Sequence, residues 1–309
     1  NGPCRLPARR AQHKVTTIIN VPHSLEDKSF EQVLDQVAPL PVDEKIIVDT
    51  RHARWASPYG LTALLALAQS RAERPILYVP EAENVSSYWS RMDFFKHAAE
   101  LYDIQGRVKS AKAAETSVLL EVTSISKSDD VHDVVDKIQQ RAQDALVKNL
   151  NLDAKITMRF TMALSEVCQN IVEHAGRGGW VAVQTYTWRV RLGGRKVVVI
   201  AVADPGIGFR QSLESAPGFQ RKERWDDGQA LEETVMRGAS RFRDPGRGQG
   251  LAGVRRFVGN WDGKLSIRSG TARIAVLPKG DWDEDEPLLE DLPHFPGAQV
   301  QITIPERVA

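Results

Sequence analysis

Met162-Ala-Leu-Ser-Glu-Val-Cys-Gln-Asn-Ile-Val-Glu-His174 decides how this chain is read. Glu166, Asn170 and His174 recur at i, i+4 and i+8, a spacing that stacks them along one stripe of a helix. Phe160, Leu164, Val167 and Ile171 form a second stripe with core-helix spacing. The pattern predicts a helix from Lys155 to His174 that buries one face and presents a carboxylate, a carboxamide and an imidazole on the other. Taken alone, such a stripe also describes the solvated face of an ordinary amphipathic helix.

Two later segments change its meaning. Val198-Val-Ile-Ala-Val-Ala-Asp204-Pro-Gly206-Ile-Gly208 is an apolar strand that ends in Asp-x-Gly-x-Gly. Asp204 can accept a hydrogen bond from an amino group, and the glycines let backbone approach a ligand closely. Gly246-Arg-Gly248-Gln-Gly250-Leu251 then opens a helical pattern over Ala252 to Val258, placing backbone N–H groups where a phosphate binds. Gly248-x-Gly250-x-x-Gly253 fits a dinucleotide fingerprint in form only. It follows the charged loop Arg241 to Pro245, whereas that motif should follow a strand. No Gly-x-x-x-x-Gly-Lys-Ser/Thr loop is present.

In this order, Glu-x-x-x-Asn, Asp-x-Gly-x-Gly and Gly-x-Gly-x-Gly-Leu resemble the GHKL superfamily of ATP-binding domains. The Ser165-Glu166 start and His174-Ala175 end are most similar to its bacterial anti-sigma-factor serine kinase branch. The resemblance implies ATP and Mg2+ as cofactors. It implies Glu166 as general base toward a water or a substrate hydroxyl, Asn170 as Mg2+ ligand and Asp204 as reader of the adenine amino group. Gly206 and Gly208 would shape the adenine pocket; Gly246, Gly248 and Gly250, followed by Leu251, would cradle phosphates. For His174 a structural or capping role and a ligand contact both stay open.

The family's last motif is Gly-Thr near the final strand. Here that strand reads Gly297-Ala298-Gln-Val-Gln-Ile-Thr-Ile-Pro305, so Ala298 replaces the threonine; Gly270-Thr271 follows the preceding strand instead. The resemblance makes about 209–245 the ATP lid, with Arg221, Lys222, Arg224, Arg237, Arg241 and Arg243 available to neutralise phosphate charge or to sit in solvent. The acidic stretch Asp281 to Asp291 reads either as a solvated insertion or as a docking patch for a basic partner.

The first half alternates strands (Val15 to Val21, Lys45 to Asp49, Pro75 to Val79) with helices (Leu25 to Val37, Leu61 to Arg71, Val85 to Phe95). Ile46 to Leu65 resembles the STAS fold of anti-sigma-factor antagonists, in which a strand and loop lead into a helix through Asp-Ser-Ser-Gly. Ser57, Pro58 and Tyr59 stand at the Asp-Ser-Ser positions here, so the usual phosphoacceptors are lost and the segment reads as a turn. The expected division is a flexible 1–13, a STAS-like α/β domain over 14–110 and a GHKL α/β sandwich over 112–309. In the latter, strands Ser117 to Ile125, Trp180 to Val190, Lys196 to Ala203, Lys264 to Arg268, Ala272 to Leu277 and Gln299 to Ile304 form a mixed sheet with helices on one face. A hairpin through Gly193-Gly194 joins two of them.

A length of 309 residues suggests about two domains, and the composition fits a soluble globular protein. A net charge of +1 gives no reason to expect nucleic acid or an acidic membrane. No apolar run is long enough to span a bilayer, no signal-like segment opens the chain, and two cysteines, Cys4 and Cys168, fit a reducing cytoplasm. The histidines lack metal-ligand spacing. The reading is an ATP-binding regulatory protein of the GHKL type: a Mg2+-dependent serine/threonine kinase or ATPase in partner-switching signalling. It would act on a protein substrate or partner and could self-associate as a homodimer. The alternative is a nucleotide-gated interaction switch with little turnover.

Overall fold

A computed structural model describes residues 16–111, 118–137, 140, 154–220, 223–239, 250–280 and 282–306. The side chains of 154–157, 160, 163 and 174 lie outside that description, as does the expected flexible 1–13.

The first half builds a four-stranded sheet from β1 (Thr17–Asn20), β3 (Ile46–Asp49), β5 (Ile76–Tyr78) and β6 (Asp103–Gln105), in that spatial order and with every ladder parallel. Short strands β2 (Ser24–Leu25) and β4 (Trp55–Ala56) pair beside it. The helices are α1 (Asp27–Val37), α2 (Pro58–Ser70), α3 (Glu83–Arg91) and α4 (Phe94–Leu101). The single helix expected from Val85 to Phe95 is two, because Asp93 adopts a left-handed φ of 56° between them. β6 is a strand that the sequence reading did not assign.

Ser57-Pro58-Tyr59 is a helix start rather than a free turn. Ser57 is the N-cap of α2, its Oγ accepting from the Gly60 N–H, and Pro58 occupies the first turn, where its missing N–H costs nothing. The helix Pro-Tyr-Gly-Leu-Thr-Ala-Leu-Leu-Ala-Leu-Ala is buried all round from Pro58 to Ala68, the signature of a helix enclosed between layers.

The second half forms a seven-stranded sheet in the order β12-β11-β10-β13-β9-β8-β7. Its strands are β7 (Val118–Ile125), β8 (Gly179–Trp188), β9 (Arg195–Asp204), β10 (Lys264–Gly270), β11 (Ala272–Val276), β12 (Leu288–Leu289) and β13 (Phe295–Pro305). Every ladder is antiparallel, so the sheet is not the mixed one expected, while the α/β sandwich class stands. Gly193 and Gly194, at φ 59° and 91°, close the β8–β9 hairpin. Helices α5 (described over 128–137), α6 (Ala154–Asn170) and α9 (Gly250–Asn260) cover one face. The remaining helices, α7 (Gly208–Glu214) and α8 (Asp227–Val235), fall within the expected lid region, where Leu231 and Val235 of α8 join the sheet's core.

The other face is covered as well, which the sequence did not predict. Side chains alternate along β8 and β9. Val181, Val183, Val198, Ile200 and Val202 pack with α6 and α9, whereas Trp180, Ala182, Ala201 and Ala203 share a core with α2 and the parallel sheet. Alanines on that face let α2 lie close to the strands. Arg268 of β10, 1% exposed, forks onto Glu31 of α1 at 2.7 and 3.1 Å.

The acidic stretch contributes to the same interface. Asp283 and Asp285, with side chains 5% exposed, hold Lys264 Nζ at 3.0 and 2.8 Å, and Asp285 also accepts from Arg273 at 2.9 Å. Burial alone would depress the Lys264 ammonium; Asp27, Asp285 and Asp283 hold it above its ordinary value. Burial would raise the Asp285 carboxyl, but Lys264 and Arg273 hold it below the usual range. Asp283 and Asp285 are thus internal counter-ions, neither solvated nor available for docking. Asp281 lies outside the described residues.

Candidate nucleotide site

The buried stripe of α6 is the predicted one, with Leu164, Val167, Cys168 and Ile171 in the core. Glu166 is exposed and Asn170 half-buried. From Ile171 to Ala175 the winding changes to a π-turn, closed by Gly176 at φ 69°. The stripe therefore loses its 3.6-residue phase before His174, whose side chain lies outside the described residues. Such a wider turn is a common device where a helix meets a site, and here it sets Ala175 against the loop that follows β9.

That loop is built around Asp204, the last residue of β9. Its carboxylate is 7% exposed. Oδ1 accepts from the Gly206 N–H at 2.8 Å. Burial pushes the Asp204 pKa up to about 7, against the stabilising N–H groups of Gly206 and Ala298. A carboxylate held this way is a ready acceptor for an amino group that enters the pocket.

The glycines are demanded by space. A Cβ on Gly206 would run into the backbone of Ala175. Gly208 has φ 71°, and a Cβ there would meet Ser269 Oγ. Gly297, at φ 77°, lies on the Asp204 carbonyl, and its own carbonyl accepts from Ser269 Oγ at 2.7 Å. Ser269 Oγ also accepts from the Phe209 N–H at 3.1 Å. Gly297 and Ser269 were not expected as site residues. The available signal was a glycine at the start of a strand, which marks close backbone approach.

Ala298 pairs with Asp204 in the β13–β9 ladder, so it stands where the sequence placed the replaced threonine, beside the carboxylate. Thr271 is committed elsewhere: its N–H and Oγ1 both donate to Asp227, at 2.8 and 2.9 Å. Leu251 is buried in the first turn of α9, in the same core as α6. Gly250 begins α9; Gly246 and Gly248 lie outside the described residues.

Of the cations in the expected lid, Arg224 bonds Glu290 and Asp226, and Arg237 pairs with Glu233. Both are therefore engaged with acids. Arg221, Lys222, Arg241 and Arg243 lie outside the described residues. Among the described residues no group of three or more His, Cys, Asp or Glu gathers to hold a metal. Asn170, expected as the Mg2+ ligand, is half-buried at the end of α6; Mg2+ keeps waters and leans on substrate phosphates, so a site for it needs few protein ligands.

Residues 156–307 match the family described as histidine kinase-, DNA gyrase B- and HSP90-like ATPases, and this part of the chain is a domain of that family. The crystal structure of a SiaB–SiaC complex from Pseudomonas aeruginosa is similar over 62% of this chain and 91% of that chain, at 12% identity and a TM-score of 0.31. A likeness of that size carries no argument. No curated protein matches the chain. The family supports ATP binding and makes ATP-dependent chemistry the relevant class; Mg2+ is typical of it. Among the described residues no helix is long and apolar enough to cross a membrane.

Proposed function

We propose that the C-terminal half binds MgATP and works as a serine/threonine kinase or ATPase in cytoplasmic partner-switching signalling. The observation that carries this reading is Asp204, a buried carboxylate at a strand end, braced by Gly206 and Ala298 and enclosed by glycines that leave no room for side chains. In this reading Asp204 accepts from the adenine amino group and Gly206 and Gly208 form the floor. Asn170 ligates Mg2+. Gly246, Gly248 and Gly250, with Leu251 behind them, hold phosphates. Glu166, exposed on α6, takes the proton from a hydroxyl or water.

The chain would divide into a STAS-like unit over 14–110 and the ATP-binding unit over 112–309, with a lid over about 209–245. The substrate hydroxyl comes from another protein. Ser57 and Tyr59 are 3% and 2% exposed, and α2, which Ser57 caps, packs on the sheet face opposite α6. The STAS-like half therefore does not occupy the face where Glu166 lies. Partner binding, including self-association as a homodimer, is assigned to surfaces other than that buried one.

Glu166→Gln in the full chain, supplied with MgATP and assayed for phosphate release and for transfer to candidate partners, tests the catalytic reading. Turnover should fall about 10²- to 10⁴-fold with ATP affinity retained; unchanged turnover removes Glu166 as the base. Ala298 and the buried Ser57 favour the second reading, a nucleotide-gated switch. That reading requires ATP-dependent partner binding that survives Glu166→Gln with no phosphate released.

A further inference from the structure

The Asp204 loop has two sides. Pro205, Gly206 and Ile207 also line a half-open cavity of about 450 Å3 between the two halves of the chain, a volume within the range that holds small molecules. Its opposite wall comes from α1, α2 and the segment between α1 and β3.

The chemistry of the lining is one-sided. Arg71, Arg177 and His294 reach it, and among the described residues no carboxylate does. Arg71 is a fixed charge, its Nη2 bonded to the carbonyls of Pro41 and Glu44. Arg177 is exposed while its backbone carbonyl is tied to Gln69 Nε2 at 2.7 Å, so its side chain is free to follow a ligand. Apart from Ser70 and Gln211, the other side chains of the lining are apolar. Val42 and Ile207, 56% and 39% exposed, are among the few large apolar side chains the described residues leave in solvent, and they meet at this cavity from different halves. Glu44 and Asp43, outside the lining, offset part of the Arg71 charge; the apolar surface together with the positive charge that Arg177 adds still suits a ligand with a matching apolar body and an anionic group.

The geometry points to a second ligand site here, for a small amphipathic anion such as an aromatic or aliphatic carboxylate, distinct from the nucleotide pocket. Because the two sites share the Pro205-Gly206-Ile207 segment, occupancy of one alters affinity at the other, and does so reciprocally.

The test is calorimetric titration of the full-length protein with 2-naphthoate, alone and with ADP. One equivalent should bind. Val42→Asp, at an exposed position, should weaken binding about tenfold by adding a like charge and removing apolar contact, and Arg177→Gln about two- to fivefold. Uncharged 2-naphthalenemethanol should bind more weakly than the carboxylate, and saturating naphthoate should shift ADP affinity at least twofold. Absence of saturable binding, affinity unchanged in both variants, or complete displacement by ADP overturns the site. Independent binding of the two ligands overturns the coupling. A protein that binds naphthoate in this pattern but no ADP supports the site while counting against the nucleotide reading, so the two failures are distinguishable.

Discussion

Arg268 and Glu31, 237 positions apart in sequence, meet in a two-point ion pair between β10 and α1. Arg268 also donates to the carbonyls of Gly270 and Pro293 and lies over the Phe295 ring at 6.0 Å. Removing the carboxylate strands a guanidinium that is 1% exposed. Glu31→Ala should therefore cost about 3–5 kcal/mol, and Glu31→Gln less, because an amide still accepts from the fork. Urea unfolding of the three proteins measures this; equal midpoints for wild type and Glu31→Ala would show the pair to be inconsequential.

The same interface makes the second half dependent on the first. Trp180, Ala182, Ala201, Ala203, Val118 and Val122 share one core with α2. A 112–309 fragment exposes that surface, a liability for association. It should unfold at lower urea than the full chain or self-associate in sedimentation runs. A monomeric fragment as stable as the full chain would contradict the shared core.

Asp204 gives a pH dependence with a definite sign. Its pKa is raised from 3.8 to about 7 in the folded protein, so between those values the native state keeps a proton that the unfolded chain has released. Stability from this group is fully present below about pH 4 and is lost as pH rises through 7, at up to about 1.4 kcal/mol per unit. Asp204→Asn removes the titration. The stability difference between wild type and Asp204→Asn should move against wild type from pH 5 to pH 8; a difference independent of pH refutes the assignment. ADP affinity, which uses the ionised acceptor, should rise with pH over the same window in wild type alone.

Two glycines with left-handed backbone separate strain from collision. Gly176→Ala at φ 69° meets nothing within 4 Å, so it should cost only about 1–2 kcal/mol and leave ADP binding intact. Gly297→Ala at φ 77° adds a collision with the Asp204 backbone and should cost more than about 2 kcal/mol. It should also weaken ADP binding. Thermal unfolding and ADP titration of the two variants decide; equal effects on ADP binding would detach Gly297 from the site.

The chain's local rules were legible where one periodicity dominates. Leu164, Val167 and Ile171 announced the buried face of α6, and the apolar run Val198 to Ala203 announced β9. Gly193-Gly194 announced its hairpin. Asp204, Gly206 and Gly208 were visible because Asp-x-Gly-x-Gly at the end of an apolar strand resembles a family motif. The contacts that Gly297 and Ser269 make with the Asp204 loop were not, since they come from two other strands, 93 and 65 positions away from Asp204. The break at Asp93 and the π-turn after Asn170 were equally hidden, because each is a change of winding that packing imposes on a helical pattern.

What the sequence determined by itself was therefore the identity of most elements and the local placement of the residues proposed for the site: a carboxylate and carboxamide on one helix, an aspartate at a strand end and glycines beside it. These follow from backbone geometry and side-chain periodicity, which act over a few residues. The tertiary structure alone decided that the seven-stranded sheet is antiparallel and covered on both faces. It also decided that Asp283 and Asp285 face inward toward Lys264 and that Ser57 caps a buried helix. Each of those outcomes depends on which distant surface arrives opposite. Small side chains at Ala182, Ala201 and Ala203 permit α2 to lie there, and the burial that follows turns surface-looking charges into internal ion pairs.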